Sequence, residues 1–282
     1  LIAFAKEHGI KHDVCGKVIV AMEESEFPHM EKVFNNGIAN GLTDNRWINS
    51  DEIKEIEPYC TGIKGIWVPY TGIIDFVGAT AKMLEITESV GKESKVVFNE
   101  EVLAYSEEGG LKNIRTNRNS YQAKYVVFCG GLQADRLAKK DGVDLDMSIV
   151  GFRGDYYELA DHAKHKVKNL IYPVPNPEFP FLGVHFTRMT DGSIECGPNA
   201  VFSFKREGYG KTDFSLIDTA EALSFKGTWN LLFNHFGFAY NEYRRAFSKR
   251  LFLKTLQRLI PDLEMNDLQP GRAGVRAMAL GL

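Results

Sequence analysis

At 282 residues and 44% hydrophobic, the chain is long enough to bury a substantial core, as one large domain or as two that share contacts. A net charge of −3 and a pI near 6.2 supply no global attraction to nucleic acid or anionic lipid, and no basic stripe with interleaved aromatics suggests a nucleic-acid partner. No apolar run reaches the roughly 20 residues of a membrane helix, and Cys15, Cys60, Cys129 and Cys196 stand too far apart for zinc-site spacing or a disulfide framework, so reduced cysteines in a cytoplasmic protein are the default.

Helix and strand signals alternate from the start, the pattern of an α/β (α+β mixed) chain. Ile2 to His8 reads as a helix and Lys17 to Met22 (KVIVAM) as a short β-branched strand. Glu26 to Asn40 is amphipathic, and INSDEIKEIEP predicts a second helix with Ser50 as N-cap, acids in its first turn and Pro58 behind it. GIKGIWVPYTGIIDF predicts a strand, a turn and entry into a helix over Val77 to Glu88. The next block is a β-meander, with strands expected at Lys95 to Phe98, Val102 to Ser106, Leu111 to Thr116 and Tyr125 to Cys129, and a Gly109-Gly110 turn. Further strands are expected at Gly151 to Leu159, Phe181 to Thr187 and Ser193 to Gly197. Helices follow over Asp213 to Ser224, Thr228 to His235 and Tyr240 to Ile260, ending at Pro261, before PGRAGVRAMAL returns as a strand. No linker marks a boundary, so two domains would have to share a chain that weaves between them.

Several stretches carry chemistry. YVVFCGGLQADRLAKK places a Gly-Gly turn between an apolar strand and a helix whose first turn holds Asp135; the glycines permit close backbone approach and the helix start offers free N–H groups. The same junction serves as an ordinary structural crossover. PGRAGVRAMAL presents Arg272 and Arg276, and GFRGDYYEL presents Arg153, each able to grip a carboxylate with a planar fork or to make a surface ion pair. In the segment from Tyr172 to Ala200, four prolines precede an apolar run that delivers His185, Thr187 and Arg188. His185 is either a hydrogen-bonded core residue or a general base, since its ordinary pKa suits proton removal near neutrality. Asp161, His162 and His165 lie in a polar stretch and give no reason to expect a metal. No G-x-G-x-x-G fingerprint occurs.

Taken together, GKVIVA, EIEP followed by VPYTGIIDF, VVFCGGLQADRLAK, FRGDYYEL, YPVPNPEFPFLGVHFTRMTDGSIECGPNAV, FKREGY and GRAGVRA resemble the D-amino-acid-oxidase-like family of FAD-dependent oxidoreductases, and within it the branch that oxidises L-2-hydroxyglutarate. The resemblance runs in order through nearly the whole chain. It implies an interleaved two-domain fold, with 1–15, 70–145 and 265–282 in an incomplete FAD-binding domain and 16–69 and 146–264 in a substrate domain. The family's dinucleotide fingerprint would precede Leu1 and its last FAD-contacting segment would follow Leu282, so the stretch reads as an internal fragment expected to bind FAD poorly by itself.

By the same resemblance, Thr71, Gly72, Val102, Cys129, Gly130, Gly131 and Gly274 would approach the FAD, and Arg276 would hold the substrate's C1 carboxylate. The implied reaction is hydride transfer from C2 of a dicarboxylate, L-2-hydroxyglutarate, giving 2-oxoglutarate, with His185 taking the hydroxyl proton. Arg153 or Arg188 would hold the distal carboxylate and Tyr172 would add a hydroxyl donor. The electron acceptor is oxygen or a quinone, and a quinone would require peripheral contact with a membrane, the inner membrane in a bacterium. Two alternatives stay open: an amine or amino-acid oxidase of the glycine or sarcosine type, and a non-catalytic fragment of the same fold. Glycerol-3-phosphate dehydrogenase is a further relative that these segments fit less well.

Overall fold

The computed structural model describes residues 1–175 and 183–281. The first part of the chain forms α1 (Ile2–Glu7), β1 (His12–Asp13), β2 (Lys17–Ala21), α2 (Phe27–Ala39), β3 (Arg46–Asn49), α3 (Ser50–Ile56), β4 (Lys64–Val68), β5 (Ile73–Ile74) and α4 (Phe76–Ser89). The meander β6 (Val102–Glu108), β7 (Leu111–Thr116) and β8 (Ser120–Ala123) follows, then α5 (Ala134–Lys140) and the long strand β9 (Met147–Leu159). The remainder is β10 (Leu170–Pro173), β11 (His185–Arg188), β12 (Ile194–Gly197), β13 (Val201–Phe202), α6 (Leu216–Ser224), α7 (Lys226–Asn234), α8 (Phe236–Ala246), α9 (Lys249–Leu256) and β14 (Leu268–Gly281). Two compact units share these elements. One comprises 1–82, 154–201 and 237–274, the other 83–153, 202–236 and 275–282, so the chain weaves between them as its lack of a linker predicts.

In the first unit a twisted sheet runs β9-β12-β11-β10-β2-β4-β3, with β14 paired to β9. All the pairings along β12, β11, β10, β2, β4 and β3 are antiparallel except β2 with β10, where Ile171 lies beside Val18 and Tyr172 beside Ile19. Because side chains alternate across a strand, β2 feeds two cores. Val18 and Val20 join Ile171, Phe186 and Cys196 against Phe252, Leu256 and Leu259 of the α9 region, and Ile53 of α3 closes that layer. Ile19 and Ala21 face the other way and pack with Ile66, Val68 and Val174 against Met30, Phe27 and Phe34 of α2. Lys17, Tyr172 and His185 occupy this second face of the sheet, by the same alternation.

In the second unit β6, β7 and β8 form an antiparallel meander, joined at one side by the Gly109-Gly110 turn, where both glycines take positive φ. Among the described residues no helix is long and apolar enough to cross a membrane.

Four local expectations are corrected. The α3 cap is Asn49, not Ser50: its extended backbone lets the side chain accept from the Asp51 and Glu52 amides, while Glu52 reaches back to the Asn49 amide at 2.9 Å. The stretch from Tyr240 to Ile260 is not one helix. It breaks after Ala246, where the Ser248 hydroxyl accepts from the Leu251 amide and starts α9. Lys95 to Phe98 and Tyr125 to Cys129 are not strands. Tyr125 and Val127 are 87% and 84% exposed, and a strand needs a ladder partner as well as an apolar sequence. The meander's third strand is instead β8, which the sequence does not mark. Of the strand expected over Phe181 to Thr187, Phe181 and Leu182 lie outside the described residues, as do Pro177 and Pro180 of the proline-rich approach.

Candidate active site

The first unit gathers a compact cluster on the second face of its sheet. The His185 ring stacks on Tyr172, centroids 4.2 Å apart and planes inclined by 22°, and the Lys17 ammonium sits 5.0 Å from the centre of the same tyrosine ring. Three strands supply these residues: Lys17 begins β2, Tyr172 lies in β10 and His185 begins β11. The His185 Nδ1 lies 2.9 Å from the Gly183 carbonyl oxygen. A carbonyl can only accept, so Nδ1 carries the hydrogen and, in the neutral ring, Nε2 keeps its lone pair. Burial pulls the His185 pKa below the ordinary histidine value; the Gly183 hydrogen bond opposes this and the Lys17 charge adds to it. The imidazole is therefore neutral at pH 7, a base with its accepting nitrogen defined. Burial also raises the Tyr172 hydroxyl, against a hydrogen bond with Thr187, and it lowers the Lys17 ammonium.

The other predicted substrate residues are placed differently. Arg188 follows on β11 but is tied to Asp13, the residue that ends β1. Arg153 is buried in the second unit and donates to the Gly210 carbonyl at 2.7 Å. Arg276 is exposed on the part of β14 in the second unit, and no carboxylate among the described residues pairs with it. Arg272 is an ion-pair residue, its guanidinium 2.9 Å from Glu195. His162 likewise sits beside an acid, 3.0 Å from Asp267, and no metal-ligating group of three acids, histidines or cysteines occurs among the described residues.

The predicted cofactor-contacting residues fall in both units. In the first, Gly72 admits no side chain: a Cβ there would lie 2.5 Å from the Asp13 carbonyl oxygen, and the Thr71 carbonyl accepts from the Gly16 amide at 2.8 Å. Gly274 has open space around it. In the second unit, Val102 opens β6 and Cys129 is exposed. Gly131 takes φ +50 with nothing near its missing side chain, while a Cβ on Gly130 would meet Leu137 at 2.5 Å. The turn is bare backbone by necessity on one side and open on the other.

A charge network that the sequence did not assign to the site holds this turn. The Arg206 guanidinium pairs with Asp135, the two side chains 5% and 2% exposed, and donates to the Leu132 carbonyl at 2.7 Å. Arg136 bridges Asp218 at 2.6 Å and Glu221 at 2.5 Å, and Glu221 also takes Arg206 at 3.2 Å. FKREGY and the Asp135 of the Gly-Gly junction thus meet, although 71 residues separate Arg206 from Asp135. Lys17 is likewise a residue that the sequence does not mark as a site member. The one signal for Lys17 is a charge opening an otherwise apolar strand.

Residues 1–281 match the family described as FAD dependent oxidoreductase (DAO). The L-2-hydroxyglutarate dehydrogenase of Escherichia coli strain K12 is 43% identical over 279 residues, covering 99% of this chain and 65% of the relative. That of Indibacter alkaliphilus is 40% identical over 280 residues, covering 99% and 70%, and the mitochondrial enzyme of Bos taurus 38% over 287 residues, covering 98% and 62%. The chain thus spans less than two thirds of the length of the Escherichia coli relative, 65%. Among solved structures, L-α-glycerophosphate oxidase of Mycoplasma pneumoniae with FAD bound superposes with a TM-score of 0.73 at 22% identity, covering 96% of this chain and 63% of that one. Glycine oxidase of Bacillus cereus gives 0.67 at 15%, covering 99% and 64%. At these identities the structural likeness concerns the fold, and it agrees with the mixed α/β architecture expected from the sequence. With a family match over almost its entire length, the chain belongs to the FAD-dependent oxidoreductases of the DAO family.

Proposed function

We propose that this protein oxidises L-2-hydroxyglutarate to 2-oxoglutarate with FAD as the immediate hydride acceptor. The observation that carries the reading is His185: a neutral imidazole with Nδ1 committed to the Gly183 carbonyl and Nε2 left as the acceptor, stacked on Tyr172 beside a lysine. A base poised in this way suits an alcohol, which must lose its hydroxyl proton as C2 is oxidised, whereas an amine substrate can lose its proton to water beforehand. Relatives named L-2-hydroxyglutarate dehydrogenase at 38–43% identity support the same substrate.

The Gly-Gly junction suits a flavin. The Gly130-Gly131 turn is held by Arg206 through Leu132 and leaves open space at Gly131, which suits a group that lies against backbone. The family resemblance assigns Thr71, Gly72 and Gly274 of the first unit, and Val102, Cys129, Gly130 and Gly131 of the second, to the FAD. When bound, the FAD supplies the hydride-accepting chemistry that no side chain provides. In the first unit the Tyr172 hydroxyl would donate to the substrate and His185 Nε2 would receive its hydroxyl proton; in the second, the exposed guanidinium of Arg276 suits a carboxylate.

The final acceptor is oxygen or a quinone, and a quinone would bring the protein to a membrane surface. Dye-linked turnover of the FAD-loaded protein tests the substrate. Turnover is expected with L-2-hydroxyglutarate and none with the D-isomer, sarcosine or glycine. Turnover of sarcosine or glycine in place of the hydroxy acid would overturn the reading and move the protein to amine oxidation.

A further inference from the structure

Among the described residues, Lys17 has no carboxylate counter-ion. Arg188 is paired with Asp13 and Arg272 with Glu195. Lys17 is half-buried at the start of β2, a strand flanked on both sides by β10 and β4, and no carboxylate among the described residues pairs with it. Burial is what pulls its ammonium below the ordinary lysine value. Its ammonium lies over the face of Tyr172, and a cation over an aromatic ring recovers only part of the lost hydration. A charge kept half out of water with no protein partner is unfavourable for folding, and an anion that arrives later relieves it.

The position of that charge relative to the base is informative. Two contacts link the ammonium to the imidazole, 5.0 Å from Lys17 to the Tyr172 ring and 4.2 Å from that ring to His185. A diacid can offer a second carboxylate to the ammonium while its hydroxyl faces His185, and a monocarboxylate has none to offer.

We propose that Lys17 is the specificity-determining cation of this site, pairing with the distal carboxylate of a dicarboxylate substrate whose hydroxyl faces His185. The assignment passes over Arg153 and Arg188, whose guanidinium groups already have protein partners. It rests on the diacid reading given above and deepens it. Discrimination follows from the chemistry of an unpaired charge: a monocarboxylate leaves Lys17 as it is in the free protein, and a diacid gains a charge-assisted hydrogen bond.

The test compares wild type, Lys17→Met, Lys17→Gln and Lys17→Arg as FAD-loaded proteins. Calorimetric binding of glutarate, a diacid without a hydroxyl to oxidise, is measured beside that of butyrate. Steady-state kinetics is measured with L-2-hydroxyglutarate and L-2-hydroxybutyrate. Lys17→Met and Lys17→Gln are expected to weaken glutarate roughly 10- to 100-fold, to lose the same factor in kcat/KM for L-2-hydroxyglutarate chiefly through KM, and to weaken butyrate and L-2-hydroxybutyrate by a clearly smaller factor. Lys17→Arg restores most of the loss. Glutarate binding and KM that do not move in a folded Lys17→Gln protein, while wild type oxidises L-2-hydroxyglutarate, overturn the assignment of Lys17 alone. A wild type that L-2-hydroxyglutarate does not reduce overturns the diacid reading beneath it.

Discussion

Replacing Arg206 by methionine is expected to destabilise the second unit by about 3–5 kcal/mol, the usual result of leaving one half of a buried ion pair behind. The pair is well enclosed, with side-chain exposures of 5% for Arg206 and 2% for Asp135. The substitution strands the Asp135 carboxylate and also frees the Leu132 carbonyl beside the Gly130-Gly131 turn. Urea unfolding followed by circular dichroism reads the loss, and FAD affinity should fall with it because the turn loses its anchor. The same network predicts acid sensitivity. Burial raises the Asp135 carboxyl, but hydrogen bonds from Arg206 and from the Ile149 amide outweigh this and hold it below the ordinary carboxylate value. A depressed folded-state pKa contributes stability that is present above the unfolded value, near 4, and is lost as the pH falls through the folded value. In Arg206→Met that portion of the acid dependence should shrink. An unchanged unfolding midpoint would show that the pair is not worth its burial.

His185→Gln is expected to slow substrate oxidation by about 10²–10⁴-fold, the range for removing a general acid–base group. The amide cannot accept a proton at neutral pH, while its size leaves the Tyr172 face covered. The pH profile separates this from a packing defect. Wild type should keep its activity to below the ordinary histidine value near 6.5, since burial first, and the Lys17 charge after it, hold the His185 pKa down against the Gly183 hydrogen bond. The variant should lose that acid limb altogether. A His185→Gln protein with the wild-type rate and the wild-type limb would remove His185 from the chemistry.

Sequence reasoning found what local pattern encodes. β7 matches its expected span residue for residue, and β2 and α2 match to within a residue at either end, because β-branched runs and amphipathic periodicity are read from neighbours a few positions apart. His185 was legible for the same reason, as a titratable residue inside an apolar run. Lys17 was not, since only the parallel pairing of β2 with β10 brings it to Tyr172. Alternation in KVIVAM cannot announce a partner so far along the chain. Arg206 illustrates the same limit, its role depending on an aspartate 71 residues away. The expected strand over Tyr125 to Cys129 failed in the opposite sense: its apolar residues describe a surface that wants cover, and burial preference carries no information about ladder partners. At α3 the choice between Asn49 and Ser50 turned on one backbone conformation, which composition does not specify.

The sheet face of this chain, with His185 as base, is proposed to serve the oxidation of a hydroxy diacid by FAD. Anaerobic titration of the FAD-loaded protein with L-2-hydroxyglutarate, following the flavin absorbance band and assaying the product, tests it most directly. Stoichiometric bleaching by the L-isomer is expected, with one equivalent of 2-oxoglutarate formed, and no bleaching by the D-isomer or by sarcosine. Bleaching by sarcosine alone, or a bound flavin that L-2-hydroxyglutarate leaves oxidised, would contradict it.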